Sequence, residues 1–143
     1  MPADINITVA TRNNRLCASS GSKWEPIMGY SRAVKCGNYI AVTGTVGINA
    51  DGTYADTLEA QTRRSLQIIC AAIQSLGGKI EHVIRTRMYV IDITKWEEVA
   101  RVHGEVFKDV RPATSLLEVS KLIDDDALIE IEADAVIPSS EQR

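Results

Sequence analysis

Cysteine and histidine are scarce in this chain of 143 residues, which holds three of the first and two of the second. Cys17, Cys36 and Cys70 are odd in number, widely spaced and without a Cys-x-x-Cys pair. A disulfide framework and a cysteine zinc site are therefore poor fits, and reduced thiols in a cytoplasmic protein fit better. His82 and His103 have no acidic or cysteine partner at metal-ligand spacing, so no metal site is expected. Positive charge is not in excess either: 16 Lys and Arg stand against 19 Asp and Glu, a net charge of −3. That balance gives no general attraction for phosphate backbones, and no basic strip interleaved with aromatics is present, so nucleic acid is not an expected partner. No apolar run approaches membrane-spanning length, and the N-terminus lacks the charged-then-apolar layout of a signal peptide. A nucleophile elbow, a Ser-His-Asp order and a phosphate loop are all missing. Nothing in these patterns calls for a cofactor.

What remains is an ordinary globular composition, 45% apolar and 24% charged. The length favours one domain, 1–143, able to bury a sufficient core. About the first 25 residues read as irregular, rich in Asn, Ser and Gly, with a short strand around 16–19. From Ser31 the pattern sharpens. "SRAVKCGNYIAVTGTVG" contains two β-rich runs joined by a hairpin at Gly37-Asn38. Leu58, Thr62, Leu66, Ile69, Ile73 and Leu76 recur at helical spacing, predicting a helix over 57–76 with Asp56 as its cap and Gly77-Gly78 as its stop.

In "HVIRTRMYVIDI", Ile84, Thr86, Met88 and Val90 share one strand face and Arg85, Arg87 and Tyr89 the other. A capping box at Thr94-Lys95-Trp96-Glu97 predicts a second helix to about residue 108, with Trp96, Val99, Val106 and either Val102 or His103 inward. Arg111 belongs to the turn before the strand "ATSLLEV". The last strand, "ALIEIEADAVI", sets Ile129, Ile131, Ala133 and Ala135 against Glu130, Glu132 and Asp134. The tail "PSSEQR" reads as frayed. The order is β-β-α-β-α-β-β, an α+β arrangement with two helices on one face of a single sheet. The other face carries arginines on one strand and carboxylates on another. Neighbouring strands would pair them, and a face so decorated suits burial against other subunits, with clefts between protomers.

A few residues stand out for chemistry. Glu130 in a semi-closed cleft would have a raised pKa and could take a proton from water. Tyr30, at a strand entrance, offers either packing or a hydroxyl to a ligand. His103 is either a partly buried helix residue or a group facing a cleft.

"GYSRAVKCGNYIAVTGTVG", the helix ending in "LGG", "RTRMYVIDI", "RPATSLLEVSKL" and "IEIEADAV" together resemble the RidA/YjgF family over about residues 25–137. These are reactive intermediate deaminases, also called endoribonuclease L-PSP proteins. The resemblance implies a chorismate-mutase-like fold and a homotrimer whose sheets form a central barrel, with a cleft for a small-molecule metabolite at each subunit interface. It implies hydrolysis of enamines and imines to ketones and ammonia. In such members an arginine directly after a Pro-Ala pair clamps the substrate carboxylate, a task suited to its bidentate geometry. A glutamate on the last strand positions water, and a tyrosine lines the cleft.

Carried onto this sequence, the tyrosine falls on Tyr30, the glutamate on Glu130 and the clamp on Thr114. A common helix asparagine falls on His103 and a common glutamine on Arg32. The chain is thus expected in a divergent subgroup lacking the carboxylate-binding arginine, and standard α-imino acids are not its expected substrates. The leading reading is an imine or enamine hydrolase with Glu130 catalytic and Tyr30, Arg32, Thr114 and His103 binding substrate. The alternatives are a non-catalytic metabolite-binding trimer and, against the acidic balance, a ribonuclease.

Overall fold

A computed structural model describes residues 2–141. Its first departure from expectation is at the N-terminus. The stretch read as irregular holds a hairpin, β1 (Thr8–Arg12) and β2 (Arg15–Ser19), and a short helix α1 (Trp24–Met28). Asn13 and Asn14 have φ of 51° and 63°. Both central residues of a tight hairpin turn need that left-handed conformation, and asparagine adopts it more readily than most residues. The asparagine pair that looked like loop composition is therefore the turn itself.

The predicted hairpin follows as β3 (Ala33–Cys36) and β4 (Tyr39–Val46), turning at Gly37 with φ 61°. Helix α2 (Leu58–Ser75) starts one residue later than expected: the Thr57 hydroxyl, not Asp56, accepts from the Ala60 N–H at 3.2 Å. Strand β5 (Val83–Val90) leads to helix α3 (Trp96–Phe107), then to β6 (Ala113–Glu118) and β7 (Ile129–Val136). The capping box at Thr94 does not form. Asp92 instead accepts from the Thr94 N–H at 3.0 Å and opens a 3-10 turn, Ile93–Lys95, ahead of α3. Arg111 sits in the turn after α3 with φ 55°, its Nε–H donated to the Lys108 carbonyl at 3.0 Å.

The strands form one sheet in the order β1-β2-β3-β4-β7-β5-β6, antiparallel except for the β5–β6 pair. Helices α2 and α3 cover one face. Val99, Val102 and Phe107 of α3 and Leu66, Ile69 and Ile73 of α2 are buried against Ile40, Met88, Val90, Ile129 and Ile131. Each such side chain contributes roughly 1.5–3 kcal/mol by leaving water. Trp96 was expected inward but is 51% exposed, at the junction where the 3-10 turn runs into the first turn of α3. Ile84 is also exposed: the β5–β7 register shifts between Val83 and Arg85, and Val83 takes the inward place.

The expected charged face is present. Arg85 pairs in register with Asp134 and Arg87 with Glu132. Arg87 reaches Asp134 at 3.3 Å and Glu132 at 3.5 Å, and the Tyr89 hydroxyl donates to Glu132 at 3.2 Å. At the C-terminus Ser139–Glu141 form a 3-10 turn, and Glu141 meets His82 at 3.2 Å. The rest of the tail read as frayed, residues 142 and 143, lies outside the described residues.

Candidate functional site

Beside the end of β4 lies a cleft of about 530 Å³. Its walls come from residues 4–6, the segment after β2, Tyr30 and Arg32 just before β3, the end of β4, the loop after β4, Arg64 and Ile68 of α2, and the 123–126 loop. Tyr30, Arg32 and Glu130 all line it. Glu130 reaches it because β7 pairs directly with β4, and Glu130 stands opposite Val46. The β4–β7 register shifts between Val42 and Thr45, and Gly44 lies in that irregularity. A Cβ on Gly44 would stand 2.6 Å from Glu130 Oε2. Glycine there lets the carboxylate lie across β4 and into the cleft.

Glu130 makes no hydrogen bond with the described residues. Burial pushes its carboxyl above the ordinary glutamate range, the Glu132 charge adds to that, and Arg32 pulls it partly back. An unpaired, half-buried carboxylate with raised proton affinity is what a general base for water needs.

Arg32 is buried and held on every side. Nε–H donates to Ser20 Oγ at 3.1 Å, and Nη1 donates to the Gly44 carbonyl at 2.9 Å and to Thr45 Oγ1 at 3.2 Å. Nη2 donates to the Tyr30 hydroxyl at 3.4 Å and lies 4.0 Å from Glu25 Oε2. The Tyr30 hydroxyl accepts here, so its own proton is available to a ligand. Arg32 thus builds the cleft wall and aims Tyr30.

Glu25 is the counter-charge that sequence reading missed. Its Oε2 accepts from Ser20 Oγ at 2.9 Å and from the Ser20 and Ser22 N–H groups at 3.2 Å each. The spacing Ser22-x-x-Glu25 is that of a capping box, the one signal in the sequence that marks it. Gln61 was also missed. Its amide donates to the Ala55 and Asp126 carbonyls at 2.9 Å each and accepts from the Leu128 N–H at 2.8 Å. It ties the two cleft loops to α2. The Tyr54 hydroxyl donates to Asp124 at 2.5 Å across those loops, and burial with that carboxylate keeps the phenol protonated.

Thr114 and His103 do not line this cleft. Thr114 is on β6, the outermost strand, with β5 between it and β7. It is exposed and shares a hydrogen bond with buried Thr86 at 2.8 Å, which in turn meets His103 Nε2 at 2.9 Å. Burial lowers the His103 pKa, so its ring is neutral near pH 7. One chain thus carries two separate groups: Tyr30, Arg32 and Glu130 in the cleft, and His103, Thr86 and Thr114 at the sheet edge. Among the described residues no cluster of three or more His, Cys, Asp or Glu could hold a metal, and no helix is long and apolar enough to cross a membrane.

A two-helix mixed sheet with a glutamate, a tyrosine and an arginine in a cleft beside its middle strands defines a class of small α+β proteins. The chain belongs to the Endoribonuclease L-PSP family, whose model matches residues 20–137. It is 39% identical over 118 residues to an uncharacterised protein of Streptomyces coelicolor, covering 81% of this chain and 87% of that one. It is 31% identical over 108 residues to the 3-aminoacrylate deaminase RutC of Acinetobacter baylyi, covering 74% and 85%. Rv2704 of Mycobacterium tuberculosis, a member of the YjgF/YER057c/UK114 family, superposes with a TM-score of 0.81 at 45% identity, covering 86% and 99%. The YjgF gene product of E. coli gives 0.70 at 32% identity, covering 75% and 87%. The family and the α+β fold expected from the sequence are therefore both met.

Proposed function

We propose that this protein hydrolyses small imines or enamines to carbonyl compounds and ammonia, at a cleft completed by a neighbouring copy in a homotrimer. The observation that carries the reading is Glu130: a half-buried carboxylate with no hydrogen-bond partner among the described residues, raised proton affinity and a glycine opposite that leaves it room. Glu130 takes a proton from water as the oxygen attacks the C=N carbon. The Tyr30 hydroxyl, held by Arg32, donates to the nitrogen or to the new hydroxyl group. The likeness to a relative named 3-aminoacrylate deaminase supports the reaction class.

Thr114 takes the place where the family's carboxylate-clamping arginine is expected. In a trimer it would reach the site from the edge of a second copy, with His103 and Thr86 fixing its hydroxyl. It supplies a hydrogen bond and no charge, so standard α-imino acids are not the preferred substrates. Imines generated in situ and followed by ammonia release test the reading. The wild type should accelerate release over buffer, and Glu130→Gln should lose at least about a hundred-fold, as general-base removal does. Stabilisation by metabolites with no acceleration across a broad imine panel would establish the non-catalytic binding trimer in its place.

A further inference from the structure

We infer that the cleft selects substrates without a carboxylate, neutral or cationic at the reacting group, and that the protonated iminium is the species it binds best. The inference rests on this cleft being where the proposed hydrolase holds its substrate. Its support is a charge count. A carboxylate is best held by an uncompensated positive charge, and the two guanidinium groups of the cleft each already face a carboxylate. Four N–H bonds of Arg32 donate to Ser20, Gly44, Thr45 and Tyr30, and Nη2 also lies 4.0 Å from Glu25 Oε2, its carboxylate partner. Arg64 donates its Nε–H to the Ile48 carbonyl and Nη1 to Asp4, each at 3.0 Å, so its charge already has a carboxylate partner. Lys23 stands at the exposed rim with its ammonium 5.0 Å from the Trp24 ring centroid.

The acceptors are in the opposite condition. Arg32 is a single buried cation that already faces Glu25 at 4.0 Å and acts electrostatically on Glu130. A substrate carboxylate would be a third anion beside one guanidinium, in a half-closed space where like charges repel strongly. A cation there would instead relieve the unpaired Glu130. Asp124, Asp125 and Asp126 add negative charge along the 123–126 loop. Thr114, if a second copy delivers it, brings no countercharge. The binding preference and the chemistry then agree. Water adds to the carbon of the protonated C=N group, forming the C–O bond, and Glu130 takes the released proton. Glu130 returns that proton to nitrogen, the C–N bond breaks, and the hydroxyl proton leaves with the ammonia as ammonium. The products are a neutral ketone or aldehyde and a cation that the site also tolerates.

Three molecules of one shape and different charge separate the outcomes: acetamidinium, acetamide and acetate. Titrated against the wild-type protein by NMR, acetamidinium should bind about ten-fold or more tighter than acetate. Glu130→Gln should bring acetamidinium down to the level of acetamide and leave acetate weak. Acetate binding as tightly as acetamidinium would overturn the inference, as would an acetamidinium affinity indifferent to Glu130→Gln. The hydrolase reading is scored separately by ammonia release. Cation binding without hydrolysis of any imine sinks that reading and leaves the charge preference standing. Faster hydrolysis of carboxylate-bearing imines than of neutral ones does the reverse.

Discussion

At the scale of single residues, the cleft depends on groups whose roles are set by what surrounds them. Burial holds the Glu130 carboxyl above its ordinary proton affinity. Its folded-state proton affinity exceeds that of the unfolded chain, so the native state binds more protons and stability falls as pH rises through this range. Glu130→Gln is therefore expected to raise the melting temperature at pH 7, with the gain shrinking as pH falls through the raised folded-state pKa and gone below the ordinary glutamate pKa. A thermal-melt series in pH checks the sign; a lower melting temperature at pH 7 would mean the carboxylate is stabilised by partners in solution. Activity should run the other way, rising with pH as Glu130 ionises. Gly44→Ala separates fold from function more sharply. The new methyl meets the far end of a flexible glutamate, so the stability change should stay within about 1 kcal/mol. The displaced carboxylate should cost at least about ten-fold in imine hydrolysis, a loss that ammonia release and a melting curve measure side by side.

At the scale of elements, one helix residue governs two loops. Gln61 satisfies two carbonyls and one N–H of the segments that wall the cleft. Replacing it by Leu leaves those backbone groups unpaired at about 1–3 kcal/mol each where they stay dry. Gln61→Leu should lower stability by roughly 2 kcal/mol or more and speed amide hydrogen exchange in the 48–56 and 123–128 loops ahead of the sheet. Uniform protection in both loops would show that α2 packing alone holds them. The elements themselves were mostly legible. Alternation along 129–136 and helical spacing along 58–73 are direct readouts of burial, and both stand in the fold. The errors fell where local chemistry had two solutions. Thr57 and Asp56 could each cap α2; Asp92 outcompeted Thr94; and Asn13-Asn14 read as coil because asparagine serves loops and left-handed turns alike. The bulge at Ile84 had no local signature, since it answers to the partner strand.

At the scale of the molecule, the two groups of site residues lie on different parts of one chain, and the proposed trimer is what would unite them. Subunit complementation tests this. Glu130→Gln and Thr114→Trp proteins, each inactive or impaired alone, should regain activity when unfolded together and refolded as mixed trimers. Mixed assemblies can contain one site with both native residues only if those residues come from different copies. No recovery, with mixed trimers verified by mass, would show that each chain carries its site alone or that Thr114 takes no part.

The sequence by itself determined the elements from residue 31 onward, the charged sheet face and the likeness to a family, because periodicity and motif spacing are local properties of a chain. It also singled out Glu130, Tyr30 and Arg32. Only the tertiary structure decided what Arg32 does. A lone arginine in a sequence looks like available charge. In the fold four of its donors meet Ser20, Gly44, Thr45 and Tyr30 and its charge faces Glu25, drawn from separate segments, and it becomes part of the wall. The separation of Thr114 from the cleft was decided there as well, because strand order, with β5 between β6 and β7, follows from long-range pairing that no local pattern encodes.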